Sequence, residues 1–260
     1  MYLYVEKRSF LHLLHPVVKI LLLSTGFIIA LIFNSPLYLL SSLFLIVFMI
    51  IYAGGVANIY RMRIILILLF VFSTILWAFF IKEGNLIFRL GPLSVTNKSL
   101  SYGIGMGLRL NLMVLTGLLF FSITMIEEFG FGLHKIGLPY SFCFAISTAF
   151  RLVPLFLQEG TIVVEAQTLR GLDLTKGNIF TKIERHLPLI VPIFVTTVRK
   201  MDNLFLALES KGFKPNKKRT FYLERELASV DYVVIIILIA IIAICIILRR
   251  LGYGVVLNRL

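Results

Sequence analysis

No charged residue occurs between Lys19 and Arg61, and Asn34-Ser35-Pro36 interrupts that apolar stretch. Asn, Ser and Pro form turns, so the pattern predicts a helical hairpin with spans near 17–33 and 36–54. "RMR" at 61–63 precedes a third apolar run at 64–81. A polar loop follows, "KEGNLIFRLGPLSVTNKS", with Gly-Pro at its centre. A fourth span covers roughly 100–125, and a fifth covers 230–248, between Asp231 and the Arg249-Arg250 pair. These runs are apolar on all sides and match the roughly 17–25 residues a membrane helix needs. Barrel strands would alternate apolar and polar positions. The expected fold is therefore all-α: a polytopic membrane protein with about five transmembrane helices.

Residues 127–229 break the pattern, which divides the chain into 1–126, 127–229 and 230–260. This middle block holds 14 of the 26 Lys and Arg residues. It predicts two long amphipathic helices, one from "GLP" at 137–139 to Gly171 and one from about Leu187 to Gly212. On the first, Arg151, Gln158 and Glu165 recur at seven-residue steps. Ile146, Phe150, Val153, Leu157 and Val164 form an apolar stripe at helical spacing. Pro154 is expected to kink it. On the second, Met201, Leu204, Phe205 and Leu208 share a face, with Pro188 in the first turn. "DLTKGN" at 173–178 reads as the turn between them, and "KPNKKRT" at 214–220 as a solvated exit. Both helices are oily enough to lie against a membrane and another protein.

Composition agrees: 59% of the 260 residues are hydrophobic, 15% are charged, and mean hydropathy is +0.96. Soluble domains carry about 25% charged residues. The net charge of +13 would point to nucleic acid in a soluble protein. Here it fits the Lys/Arg enrichment of cytoplasmic loops, and no aromatic-basic interleaving accompanies it, so nucleic acid is not an expected partner. Putting 127–229 in the cytoplasm also puts Lys7, Arg8, Lys19, Arg61 and Arg63 there. Five spans would then leave the tail "RRLGYGVVLNRL" outside with three arginines, against the same rule. Cys143 and Cys245 lie far apart in apolar surroundings and indicate neither a disulfide framework nor a metal site. The start, "MYLYVEKRSF", reads as no removed signal peptide.

One phrase is written twice. "EAQTLRGLD" at 165–173 and "ALESKGF" at 207–213 share the order Ala, three residues, cation, Gly. A cation in the last turn followed by Gly is a common helix ending, favoured by the macrodipole and by a left-handed C′ glycine. The doubling adds a second reading. In both copies a small Ala sits one turn before the cation, which lets another surface approach while the long side chain reaches past it. Two equivalent pegs fit a partner with two equivalent sockets.

These residues resemble the transmembrane T component of energy-coupling factor (ECF) transporters, related to the cobalt-permease transmembrane subunit. "LHLLHPVVK" at 11–19 is similar to the family's opening, with His15-Pro16 where an aspartate-proline pair is usual. The stretches 137–173 and 187–213 are similar to the segments that carry its two Ala-Arg-Gly signatures. The resemblance implies two coupling helices that dock on a pair of cytoplasmic ABC ATPase subunits. By position the contacts are Ala166, Arg170 and Gly171 in one copy, and Ala207, Lys211 and Gly212 in the other. The alanine just before the family's basic residue is Leu169 here in the first copy and Ser210 in the second. Lys211 replaces an expected arginine, exchanging a planar fork of donors for a point charge. The resemblance further implies a membrane substrate-binding S component, uptake of a vitamin or transition metal across a prokaryotic plasma membrane, and ATP with magnesium held by the ATPases. This chain would hold no cofactor and catalyse nothing. No Walker lysine, His-Glu-x-x-His or Gly-x-Ser-x-Gly motif occurs in it.

Other features carry two readings each. Arg109, inside the fourth span, either faces a partner or snorkels to the outer interface. Gly103, Gly105 and Gly107 favour close helix packing in lipid. His12 and His15 share an entry segment with a possible metal role, and Glu127 and Glu128 read as solvating a helix end. The rival functions are a stand-alone secondary transporter, which tends to show paired broken helices and several intramembrane ionisable residues, and an intramembrane hydrolase.

Overall fold

A computed structural model describes residues 4–5, 7, 9–81, 86–90, 93–171, 178–213 and 227–254. Its elements in chain order are α1 (Phe10–Leu13), α2 (Pro16–Ile32), α3 (Pro36–Ala53), α4 (Val56–Phe80), β1 (Leu86–Leu90), β2 (Leu93–Thr96), α5 (Asn97–Ile123), α6 (Ile126–Ile136), α7 (Tyr140–Leu169), α8 (Ile179–Ser210) and α9 (Ser229–Arg250). The chain divides into two units, 1–132 with 224–260, and 133–223. The helical membrane fold read from the sequence is the one observed.

Local chemistry sets the helix ends in the first unit. Pro16 and Pro36 each open a helix, where the missing N–H costs nothing. Thr96 and Ser99 form a reciprocal capping box at the start of α5, with Ser99 N–H donating to Thr96 Oγ1 at 3.1 Å and Thr96 N–H to Ser99 Oγ at 2.9 Å.

α5 is the centre of this unit and packs against α2, α3 and α4, while α9 lies along α2. Its buried residues Leu108, Leu112, Leu115, Leu119 and Ile123 recur at helical spacing and meet Leu22, Leu39, Ile46 and Ile50. Lipid provides no hydrophobic drive between helices, so close packing must supply the cohesion. The glycine triplet does this. A Cβ at Gly105 would lie 2.5 Å from the Asn34 carbonyl oxygen, and one at Gly103 2.7 Å from that of Thr74. By contrast, Phe44, Phe48, Ile64, Leu68 and Phe72 on α3 and α4 are exposed, as lipid-facing residues are.

Several expectations change. Five helices are long and apolar enough to cross a membrane, but they are α3, α4, α5, α7 and α9. The apolar α2, 17 residues long and ended by Asn34-Ser35-Pro36, coincides with the predicted span near 17–33, and α7 joins the candidates despite its polar stripe. α4 starts at Val56, so Arg61 and Arg63 lie on its first turns. The 82–98 loop contains an antiparallel hairpin pairing Phe88 with Val95 and Leu90 with Leu93, built from β-favouring residues around the Gly-Pro. α8 begins eight residues before Leu187, which puts Pro188 and Pro192 in its interior. Buried Leu189 and half-buried Ile193 pack that stretch against α7, and this packing offsets the lost backbone bonds. The turn at 173–177, the exit at 214–220 and the tail beyond 254 lie outside the described residues.

Candidate functional site

The second unit is built on α7 and α8. Three contacts give their mutual direction. Phe144 near the start of α7 lies 4.7 Å, ring to ring, from Phe213 just past α8. Glu159 pairs with Lys200, and Gly160 faces Ile193. As numbers rise on one helix they fall on the other, so the pair is antiparallel. A groove of about 900 Å³ follows their seam, lined by Phe156, Gly160, Val164, His186, Leu189 and Ile193 among others. Much of the predicted apolar stripe is uncovered by the chain itself: Phe150, Val153 and Leu157 are exposed, as is Phe205 on α8.

Both copies of the doubled phrase end their helices in one way. Arg170 is the C-cap of α7, its N–H bonding to the carbonyls of Ala166 (3.3 Å) and Gln167 (3.1 Å), and Gly171 follows at φ +91°. Lys211 N–H bonds to Ala207 (3.3 Å), and Gly212 follows at φ +68°. In the second copy Gly212 N–H donates to Glu209 (2.8 Å) and Phe213 N–H to Leu208 (2.9 Å), the paired bonds of a Schellman motif. The helix-ending explanation is thus realised in both copies and accounts for the glycines.

It does not account for the cations. Ala166, Arg170, Gly171, Ala207, Lys211 and Gly212 are all exposed. Among the described residues neither the Arg170 nor the Lys211 side chain has a hydrogen bond or ion pair. Each stands at the negative end of a helix macrodipole. Because the helices are antiparallel, the two tips lie at opposite ends of the pair. The 26 residues from Phe144, beside the Lys211 tip, to Arg170 rise about 39 Å at 1.5 Å each. The geometry offers two exposed cations, unpaired among the described residues and far apart, each beside a small residue.

In the first unit the structure gives Arg109 a structural contact. Its Nη2 donates to the Phe33 carbonyl at 2.9 Å and to Asn34 Oδ1, so it caps the C-terminus of α2, a contact the sequence did not suggest. Arg249 joins it there, Nη1 donating to the Ile32 carbonyl at 2.6 Å, and the Gly254 carbonyl accepts the N–H groups of Asn34 and Ser35, both at 3.0 Å. The start of the tail therefore sits at the α2–α3 turn, with the Arg249 charge engaged by helix carbonyls.

At the opposite end of α2, His15 is the N-cap: its Nδ1 accepts from Val17 N–H at 3.2 Å. Asp231 of α9 accepts the His15 N–H at 2.9 Å and places a carboxylate at the start of α2. Burial pushes the His12 imidazole below its usual range. Its Nδ1 lies 2.7 Å from Ser9 Oγ. Glu128 is more than a solvating charge, since it pairs with Lys19 at 2.6 Å; the Glu127 side chain lies outside the described residues. Sequence reasoning missed Lys19, Asp231 and Arg249 as structural residues, because their partners are distant in the chain.

A unit of packed apolar helices and a second unit of two long helices, each ending at an exposed cation, define a multi-pass membrane protein. Residues 7–222 match the family described as cobalt transport protein, CbiQ. The chain is similar to the energy-coupling factor transporter transmembrane protein EcfT of Thermosediminibacter oceani, 29% identical over 241 residues, covering 88% of this chain and 89% of the relative. The EcfT of Bacillus subtilis is 31% identical over 194 residues, 72% of each chain. That of Lactococcus lactis subsp. cremoris is 27% identical over 245 residues, 91% and 92% of the two. The chain therefore belongs to the cobalt transport protein family, among the EcfT-like transmembrane components of energy-coupling factor transporters.

Proposed function

We propose that this chain is the non-catalytic coupling subunit of an ATP-driven micronutrient importer in a prokaryotic plasma membrane. Its second unit faces the cytoplasm. Ala166, Arg170 and Gly171 dock on one ABC ATPase subunit, and Ala207, Lys211 and Gly212 on the other. ATP and magnesium belong to those partners. A membrane S component captures the vitamin or metal ion, and this chain passes the ATPases' closing motion to it.

The observation that carries the reading is a pair of exposed cations, unpaired among the described residues, at opposite ends of one antiparallel helix pair and about 39 Å apart along it. An isolated helix end needs no second copy at the far end of its neighbour. A two-subunit motor presents two acceptor sites, and each exposed alanine leaves room for its wall. The Arg-to-Lys difference favours two non-identical ATPases, because a bidentate socket suits Arg170 and a single acceptor suits Lys211. The engagement of Arg109 with the end of α2 weakens the secondary-carrier alternative, which relied on that residue as an intramembrane charge.

Co-purification with tagged ATPases tests this. Arg170→Glu should abolish recovery of the complex or uncouple hydrolysis from uptake. Lys211→Arg should be tolerated and Lys211→Glu should impair transport. Full uptake in all three variants returns both phrases to helix endings and nothing more.

A further inference from the structure

The N-terminal turns of α2 and α6 form a joint that no part of the family match assigns. Lys19 is fully buried in the isolated chain. Its Nζ donates to Glu128 Oε2 at 2.6 Å and to the Ile123 carbonyl at 2.9 Å. Ile123 is the last residue of α5 and Glu128 lies in the first turn of α6, so one ammonium holds both sides of the α5–α6 bend. Two further contacts extend the seat. The Phe131 ring meets the His15 ring edge-on at 6.0 Å. A Cβ at Gly132 would lie 2.8 Å from Ile20 Cδ1 and 3.1 Å from Pro16 Cβ. Residues 128, 131 and 132 are one face of α6 at helical spacing, and residues 15, 16, 19 and 20 are the matching face of α2.

The unit boundary falls inside this helix. α6 runs unbroken from Ile126 to Ile136, with residues through 132 in the first unit and those from 133 in the second. Its first half is clamped to α2 and its second half is the chain's way into the helix pair. A buried lysine held to a half-buried carboxylate is a poor stabiliser compared with apolar residues of similar volume, so stability alone gives little reason for one at this bend.

We propose that Lys19, Glu128 and Gly132 are positioning residues for energy coupling: they make α6 a stiff arm, so that displacement of the second unit reaches α2 and α5. The inference rests on the coupling function proposed above.

The test uses the complex with its tagged ATPases, in a Cys143→Ser, Cys245→Ala background. Spin labels are placed at Ile136→Cys on α6 and Phe44→Cys on α3, both exposed positions. With an intact joint, ATP and magnesium should shift the interlabel distance as one narrow population. Glu128→Ala and Lys19→Met should broaden the resting distribution and lose the shift, while ATPase recovery and hydrolysis persist. Glu128→Asp keeps a carboxylate within Lys19's reach and should retain the shift, which a packing defect would not predict. Unchanged distributions in Glu128→Ala and Lys19→Met overturn the joint alone. Failure of the parent chain to recover the ATPases overturns the coupling reading and this inference with it.

Discussion

α9 brackets α2, and cutting the bracket at either end should have very different costs. Asp231 and Arg249 are 18 residues apart and rise about 27 Å, while His15 to Ile32 rises about 26 Å over 17 residues. Parallel helices of matched length thus place a carboxylate at the N-terminus of the short span and a cation at its C-terminus, complementing both ends of its macrodipole. Asp231→Ala leaves the buried His15 N–H without its charged acceptor, a loss of about 2 kcal/mol. The Ala228 N–H, also bonded to Asp231, sits at an exposed residue where water can replace the carboxylate. Arg249→Ala removes an interaction at a partly exposed helix end, worth at most about 1 kcal/mol. Cys245 is buried in the core cluster on α9, so its maleimide labelling reports opening of that helix. In a Cys143→Ser background, Asp231→Ala should speed labelling about thirtyfold and Arg249→Ala no more than about fivefold, since 1.4 kcal/mol is a factor of ten. Equal effects, or an Asp231→Ala rate within about twofold of the parent, would refute the bracket.

Three further outcomes follow from the geometry. Gly105→Ala should destabilise the bundle by about 1–3 kcal/mol, because its Cβ would press on the Asn34 backbone. Gly117→Ala meets nothing within 4 Å and should be neutral or slightly stabilising; thermal melts in detergent compare the two. Gly212→Ala forces a side chain into φ +68° and should cost about 1 kcal/mol, read as faster amide exchange in the last turn of α8. Burial lowers the His12 pKa, so the unfolded chain takes the proton first. Stability should hold above the ordinary imidazole value near 6.5 and fall as pH drops through it, a slope that His12→Phe should flatten in melts across that range.

What the sequence made legible was what composition and local spacing control. Lipid demands apolar faces all round, so the runs ending at Phe33, beginning at Pro36 and spanning 230–248 stood out. Helix ends written in local chemistry, such as Pro16, Pro36 and Gly171, were equally plain. The start of α8 was not, because Pro188 and Pro192 signal a break that tertiary packing overrides. The cap made by Arg109 was hidden for a related reason: its acceptors at Phe33 and Asn34 lie about 75 residues away, and no periodicity links them. Lys19 with Glu128 and His15 with Asp231 are separated by 109 and 216 residues, so only the fold brings them together. The doubled phrase was legible as a motif, yet the distance between its copies depends on the antiparallel pairing, which only the contacts of Phe144 with Phe213, Glu159 with Lys200 and Gly160 with Ile193 reveal.

The most direct test of the coupling proposal places a photo-crosslinking residue at Leu169, which is 90% exposed beside Arg170, and separately at Ser210 beside Lys211. Irradiated membranes from cells carrying the whole transporter should yield, from each position, an adduct with a nucleotide-binding subunit. Adducts with lipid only, or labelling of either position by an impermeant reagent added outside intact cells, would contradict it.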